Sequence, residues 1–176
     1  MLSRARLVTL TGPAGVGKTR TAIELGRGQA RQRADGVWLV DLAPVGRAED
    51  VAAEAARVLG IRGAARDATT DAVRRYLADR DVFLLLDNCE HACAELGVKL
   101  LGACPNLRIL ATSREPLGLT GEAVWRLEPL SPQHSYRLFL ERARERSPEL
   151  VPDEDSEAAI VDICARVDNV RAMKRY

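Results

Sequence analysis

Gly12-Pro13-Ala14-Gly15-Val16-Gly17-Lys18-Thr19 is the stretch that decides the fold of this chain. It matches the GxxxxGK[ST] pattern of a phosphate-binding loop, and it joins a strand-like segment, 6–11, to a helix-like segment that begins at Lys18. Glycines let the backbone pass close to a polyphosphate, so that successive N–H groups and the positive helix N-terminus point at it. The pattern predicts a nucleotide-binding α/β fold.

The residue types within this stretch have distinct chemical tasks. We expect Lys18 to reach the β- and γ-phosphates and the Thr19 hydroxyl to ligate Mg²⁺. The loop as a whole predicts ATP or ADP with Mg²⁺ as the cofactors. The residues predicted to bind the nucleotide are Gly12, Pro13, Ala14, Gly15, Val16, Gly17, Lys18, Thr19 and Arg20.

A second element of the site follows the most apolar run of the chain, 82–86, which ends at Asp87. The carboxyl ends of parallel strands meet at one edge of a sheet, so we expect Asp87 beside the phosphate loop as the second metal-binding residue after Thr19. Arg114 follows another strand-like segment, 107–112, and is a candidate sensor of the γ-phosphate. The alternative is an arginine paired with Glu115 or Asp87, away from the nucleotide.

The residue that activates water is less evident from the sequence. Hydrolytic enzymes of this type usually set a Glu or Asp near the metal-binding aspartate to orient the attacking water. Here the residue after Asp87 is Asn88, and the nearest carboxylate is Glu90. Glu90 therefore joins Lys18, Asp87 and Arg114 as a catalytic candidate, with a solvent-facing or helix-capping role as the alternative. We expect slow hydrolysis.

Strand-like and helix-like segments alternate along most of the chain. This alternation predicts a three-layer α/β sandwich with a parallel sheet. After Pro129 only helical patterns remain, which indicates a nucleotide-binding domain over 1–129 and a partial helical lid over 130–176. Four aromatic residues lie at core-like positions, namely Trp38, Trp125, Tyr136 and Phe139. The predicted strands are 6–11, 37–42, 82–86, 107–112 and 124–127.

Composition excludes several classes of protein. The chain has 26 Lys and Arg against 25 Asp and Glu, and this balance argues against direct nucleic-acid binding by this chain. No run approaches about eighteen apolar residues and no signal peptide is evident, so we expect a soluble, cytoplasmic chain without membrane contact. The four cysteines fit no zinc spacing and are expected to be buried free thiols, namely Cys89, Cys93, Cys104 and Cys164.

Three stretches together carry a family resemblance. They are Arg6-Leu-Val-Thr-Leu-Thr-Gly-Pro-Ala-Gly-Val-Gly-Lys-Thr19, Leu85-Leu-Asp-Asn-Cys-Glu-His91 and Leu107-Arg-Ile-Leu-Ala-Thr-Ser-Arg-Glu-Pro-Leu-Gly118. In combination they resemble the nucleotide-binding domain of STAND-class regulatory ATPases, an NB-ARC-like P-loop domain. The version most similar is that of bacterial transcription regulators of the LuxR and SARP types.

The resemblance implies a five-stranded sheet in the order 5-1-4-3-2, followed by a helical lid. It also implies that Lys18 and Thr19 bind phosphate and Mg²⁺, that Asp87 assists the metal, and that Arg114 is the sensor. Family members exchange ADP for ATP when a signal opens them, which permits self-association, and they continue into a Gly-Leu-Pro-Leu motif and further regulator domains. In place of that motif, residues 169–176 of this chain read Asn-Val-Arg-Ala-Met-Lys-Arg-Tyr, so the resemblance implies a C-terminally truncated member.

The leading functional hypothesis is an ATP/ADP-binding signalling module with weak ATPase activity at most. One alternative is a small-molecule P-loop kinase, for which an arginine-rich lid would be needed. Arg142, Arg144 and Arg146 keep that alternative open. The other alternative is a truncated, non-functional remnant.

Overall fold

The computed structural model describes residues 5–62, 68–89 and 94–166. Contacts group the chain into two compact units. One unit comprises the described residues up to 12 and from 18 to 126, and the other comprises residues 13–17 and those from 127 onward. The catalytic candidate Glu90 and the C-terminal stretch 169–176 lie outside the described residues.

The first unit is built on a parallel sheet of five strands. Across the sheet the order is β2-β3-β4-β1-β5, and every neighbouring pair is parallel. This confirms the predicted order 5-1-4-3-2, in which β4 separates the phosphate-loop strand from the strand that ends in Asp87. The strands are β1 (Leu7–Thr11), β2 (Val37–Asp41), β3 (Phe83–Asp87), β4 (Arg108–Thr112) and β5 (Glu122–Arg126).

Burial divides these strands into a central group and an edge group. All residues of β1 and β3 are buried, which is typical of parallel strands covered on both faces. By contrast, β2 has a single buried residue, Val40, and β5 has none. Trp125 in β5 is 42 % exposed, so the prediction that it is a core residue is wrong. The reason is its position on the last strand of the sheet.

Helices cover both faces of the sheet. Leu84 and Leu86 of β3 belong to an apolar cluster with residues of three helices, whereas Leu85 lies against a fourth helix at Gly26. Successive side chains of a strand point to opposite faces, so this alternation confirms the predicted three-layer arrangement. The helices of this unit are α1 (Lys18–Gln29), α2 (Val51–Val58, after a 3-10 turn at Ala48–Asp50), α3 (Thr69–Leu77) and α4 (Ala94–Ala103).

The second unit contains two helices, α5 (Pro132–Arg146) and α6 (Glu154–Arg166). Helix α5 begins as its sequence predicts, because the Ser131 side chain accepts a hydrogen bond from the His134 N–H and Pro132 occupies the first turn. The Tyr136 hydroxyl donates to Glu157 Oε1 at 3.0 Å and so joins the two helices. Tyr136 and Phe139 are half-buried. The role of this unit as a lid stays a prediction.

The cysteines depart in part from expectation. Cys104 and Cys164 are free and buried as predicted, and burial raises the pKa of both thiols. The prediction is wrong for Cys89, which is disulfide-bonded, since spacing alone does not show whether a thiol is oxidised. Cys93 lies outside the described residues. Among the helices of the described part of the chain, none is long and apolar enough to cross a membrane.

Candidate phosphate-binding site

The loop between β1 and α1 has the conformation that its glycines permit. Gly12 and Gly17, the two glycines of the pattern, have positive φ values of 146° and 98°, at which a side chain would be strained. The Val16 N–H donates to the Pro13 carbonyl at 3.4 Å and closes a turn within the loop. Both glycines of the GxxxxGK[ST] pattern therefore meet a backbone requirement.

Lys18 is the first residue of α1 and is partly buried. Its ammonium Nζ donates to the Gly12 carbonyl oxygen at 2.8 Å, so the side chain folds back along the start of the loop. This contact places a cation beside the backbone that the sequence pattern assigns to phosphate. Arg20, in the same helical turn, is exposed.

Thr19 and Asp87 come together from positions 68 residues apart. The Thr19 hydroxyl lies 2.8 Å from Asp87 Oδ1 and 2.9 Å from Oδ2, and Asp87 is buried at the carboxyl end of β3. A hydroxyl and a carboxylate are hard oxygen donors of the kind that Mg²⁺ prefers, so these two residues fit the metal predicted from the sequence. Within the described ranges, no group of three or more His, Cys, Asp or Glu could hold a metal ion.

Thr112, the last residue of β4, provides a second hydroxyl that contacts Asp87. Its hydroxyl donates to Asp87 Oδ1 and accepts a hydrogen bond from the Asn88 N–H at 3.0 Å. Thr112 is 1 % exposed, so both bonds are shielded from water. The sequence patterns predict a functional role for Arg114 and none for Thr112, although a polar residue that closes an apolar strand is a signal that the sequence does contain.

Two further residues extend this network to the edge of the sheet. Asn88 has a φ of 60°, and its side-chain Nδ2 lies 3.3 Å from Asp87 Oδ2 and 3.3 Å from Asp41 Oδ1. Asp41 ends β2 directly beside Asp87, since the two residues are register partners. Asp41 also accepts a hydrogen bond from the Ala43 N–H at 2.9 Å. The sequence patterns do not mark Asp41 as a residue of the site.

Arg114 emerges after β4 and is exposed. The segment that follows it is fastened by Glu122, whose carboxylate accepts hydrogen bonds from the N–H groups of Leu117, Gly118 and Leu119 at 2.8 to 3.2 Å. Burial raises the pKa of Glu122, but the hydrogen bonds that it accepts outweigh burial and leave the pKa below its ordinary value. Glu122, the first residue of β5, thus holds the 117–119 segment that leads into that strand.

The arginines that suggested a kinase lid lie on α5 and make local contacts. Arg142 pairs with Glu145 at 2.8 Å, one turn along the same helix. Arg144 Nε donates to the Leu150 carbonyl at 3.3 Å. These contacts do not favour a kinase over the leading hypothesis.

Comparison with known proteins gives a family and a fold. Residues 1–121 match the sequence model of the AAA domain. A Mycobacterium tuberculosis protein named "Putative HTH-type transcriptional regulator" is 45 % identical over 174 residues, which cover 97 % of this chain and 20 % of the relative. The chain therefore spans a fifth of that relative's length.

Two solved structures share the fold. The ORC1 protein of Aeropyrum pernix, solved in complex with DNA, superposes with a TM-score of 0.66 at 19 % identity, covering 91 % of this chain and 49 % of that one. A STAND protein of Pyrococcus horikoshii with a tetratricopeptide repeat sensor gives a TM-score of 0.56 at 14 % identity, covering 94 % and 26 %. At these identities the likeness concerns the fold alone.

Proposed function

This chain belongs to the AAA domain family, and from that premise we propose that it is an ATP/ADP-binding module that serves as the nucleotide-dependent switch of a larger regulatory ATPase. The observation that carries the proposal is the contact of the Thr19 hydroxyl with the Asp87 carboxylate, together with a Lys18 ammonium held at the Gly12 carbonyl where the loop begins. These are the three side chains that a phosphate loop needs for a Mg²⁺-bound nucleotide.

The roles of these residues follow from their chemistry. Lys18 would exchange the Gly12 carbonyl for the β- and γ-phosphate oxygens, and the Thr19 hydroxyl would ligate Mg²⁺. Asp87, kept in place by Thr112, would act on the metal through its bound water. When bound, Mg²⁺ neutralises phosphate charge and orients the polyphosphate. Hydrolysis would be slow, because Asn88 stands where a water-orienting carboxylate is expected.

The regulatory context is supported by the named relative, of which this chain covers only a fifth. We propose that residues 1–129 form the nucleotide-binding domain and 130–176 a lid. The STAND, LuxR and SARP features, including self-association and contact with other regulator domains, belong to this proposal. Because the chain has no excess of basic residues, we expect any DNA contact to be made by other parts of such a regulator.

The first test is nucleotide-dependent thermal unfolding of the chain. Mg-ADP or Mg-ATP at about a hundred times its dissociation constant should add roughly 2.7 kcal/mol, which is a rise in Tm of about 5–10 °C for a chain of this length. Lys18→Ala should abolish most of that rise, since removing one member of a desolvated charge pair costs about 2–5 kcal/mol.

Lys99→Ala is the matched control for this test, because Lys99 is an exposed lysine on α4 and is not part of the phosphate-loop pattern. It should leave the rise in Tm unchanged. The proposal fails if millimolar nucleotide does not shift the Tm of the unaltered chain, or if Lys18→Ala binds ATP within a factor of about three of it. Transfer of labelled γ-phosphate to a small-molecule acceptor would instead favour the kinase alternative.

The switch requires that the site distinguish ATP from ADP. We expect Arg114→Ala to weaken ATP binding while leaving ADP binding nearly unchanged, because only the γ-phosphate would extend to the end of β4. Titration calorimetry with ADP and a non-hydrolysable ATP analogue measures both affinities. An unchanged ratio of the two affinities would remove Arg114 from the sensor role.

A further inference from the structure

We propose that Asn88 orients the attacking water through its side-chain carbonyl oxygen, and that Asp41 is the positioning residue that fixes this orientation. The inference rests on the proposed function, since it concerns hydrolysis at the same site. It adds two residues to that site: an amide in the place of the usual carboxylate, and a carboxylate supplied by the neighbouring edge strand.

The geometry brings two carboxylates to one amide. Asp41 and Asp87 end adjacent strands at the same register level, and the Asn88 amide nitrogen lies 3.3 Å from an oxygen of each. Asp41 is itself held by the Ala43 N–H at 2.9 Å. The amide is therefore bridged between a buried carboxylate on a central strand and an exposed one on an edge strand.

Hydrogen-bond chemistry decides which end of the amide faces these partners. An ionised carboxylate only accepts hydrogen bonds, so the NH₂ group of Asn88 must face Asp41 and Asp87. The carbonyl oxygen at the other end of the amide therefore faces neither carboxylate and can accept a hydrogen bond from another group. An acceptor beside the metal-binding aspartate can receive a hydrogen bond from a water molecule and set its direction of attack.

The backbone supports the same assignment. Asn88 adopts a φ of 60°, a conformation that costs energy for most residues and that Asn tolerates better than others. Its N–H is bound by the buried Thr112 hydroxyl at 3.0 Å. Backbone strain of this kind persists only where surrounding contacts determine it. Here those contacts direct the Asn88 side chain to the two carboxylates.

The reaction step that follows is balanced without a protein base. The oxygen of water forms a bond to the γ-phosphorus while the bond from γ-phosphorus to the β–γ bridging oxygen breaks, and its electron pair leaves with ADP. A neutral amide cannot take the proton released by water, so that proton passes to a phosphate oxygen. Oriented attack without a base gives turnover that is measurable but slow.

The decisive experiment compares three variants at positions 41 and 88 and one control variant by single-turnover hydrolysis of γ-labelled ATP in the full chain. ATP and ADP affinities are measured in parallel. Asp41→Asn removes the carboxylate that fixes the amide. It should lower the hydrolysis rate at least about tenfold, as expected when a reacting group loses its alignment, while both affinities stay within about threefold. Asp71→Asn, an exposed carboxylate paired with Arg74 on α3, is the matched control and should change neither quantity.

The second variant exchanges the two side chains, as Asp41→Asn combined with Asn88→Asp. This double variant keeps the net charge and the hydrogen bond, with the amide now donating from position 41. It places a proton acceptor beside the attacking water, so the rate should rise above that of the unaltered chain, by about a hundredfold. Asn88→Asp alone should gain less, because three adjacent carboxylates disfavour one another's ionised forms.

The outcomes separate the two proposals. Intact nucleotide binding with an unchanged rate in Asp41→Asn, or with no gain in the exchanged variant, would overturn the roles of Asn88 and Asp41 and leave the proposed function standing. Absence of nucleotide binding by the unaltered chain would overturn the proposed function and this inference with it. A loss of rate in Asp41→Asn and a gain in the exchanged variant, both with affinities preserved, would establish the inference.

Discussion

The central strands and the edge strands of the sheet hold the polar groups at their ends under different conditions. At the ends of β3 and β4, Asp87 and Thr112 are 6 % and 1 % exposed, and they bind each other. On the edge strands, Asp41 at the carboxyl end of β2 is exposed, and Glu122 at the amino end of β5 is half-buried. Polar groups without access to water depend entirely on their protein partners, whereas those at an edge can turn to solvent. The centre should therefore be the more sensitive to substitution.

The largest expected effect is at Thr112. Thr112→Val keeps the shape of the side chain but leaves the Asn88 N–H without its acceptor and removes one of the two hydroxyl donors to Asp87 Oδ1, the other being Thr19. One group that loses its partner and a buried carboxylate that keeps only one hydroxyl donor at Oδ1 should together cost about 2–3 kcal/mol of unfolding free energy, or a fall in Tm of roughly 4–12 °C. Thermal and urea unfolding of the purified variant measure both quantities.

Thr112→Ser is the control for that prediction, because it keeps the hydroxyl and removes one methyl group. It should cost only about 1 kcal/mol. Equal losses in the valine and serine variants would show that Thr112 contributes packing and not hydrogen bonds. In that case the distinction between central and edge strands would not rest on polar contacts.

A smaller effect is expected on the edge strand at Glu122. Glu122→Gln weakens the hydrogen bonds from Leu117, Gly118 and Leu119 but leaves an acceptor oxygen in place. Since the group is half-buried, we expect a loss of about 1 kcal/mol at neutral pH. Glu24→Gln, which disrupts an exposed ion pair with Arg27, is the control and should cost less than about 0.5 kcal/mol.

The pH dependence sharpens this second comparison. The pKa of Glu122 is lower in the folded chain than its ordinary value, so its contribution to stability is present above the unfolded-state pKa of about 4.3. That contribution is lost as the pH falls through the folded-state pKa. The difference in Tm between the unaltered chain and Glu122→Gln should therefore be full at pH 7 and disappear in acid. If the difference in Tm between the two proteins persisted at low pH, the stabilisation by Glu122 would come from packing and not from its charge.

The same contrast explains what the sequence could predict. The local spacing of the phosphate-loop pattern identifies Lys18 and Thr19. Asp87 is identified because it ends a wholly apolar strand, and such apolar runs are most evident in the central strands of a sheet. The sheet order came from family resemblance and is confirmed by the structure. Asp41 lies inside an apolar run that continues to Leu42, so nothing in the sequence marks it as the end of a strand. Its role depends on the register between β2 and β3, which is a tertiary property.

The smallest effect is expected in the helix that covers the centre of the sheet. Two glycines of α1, Gly26 and Gly28, differ in what an added Cβ would meet. At Gly28 there is nothing within 4 Å, so Gly28→Ala should gain about 0.5–1 kcal/mol from helix propensity alone. At Gly26 the new Cβ would lie 2.7 Å from Leu85 Cδ1 on β3 and 3.3 Å from Val37 Cγ1 on β2.

Whether Gly26→Ala stabilises or destabilises the fold depends on which neighbouring side chain can move aside. Val37 is half-buried on an edge strand and can shift toward solvent, whereas Leu85 is buried in close-packed surroundings on a central strand. In Gly26→Ala, we expect crowding against Leu85 to cancel the gain in helix propensity, so this variant should melt at or below the Tm of the unaltered chain. Gly28→Ala should melt about 1–4 °C above it. If both alanine variants were stabilised equally, Leu85 would be free to move aside. The packing of β3 would then be no tighter than that of an edge strand.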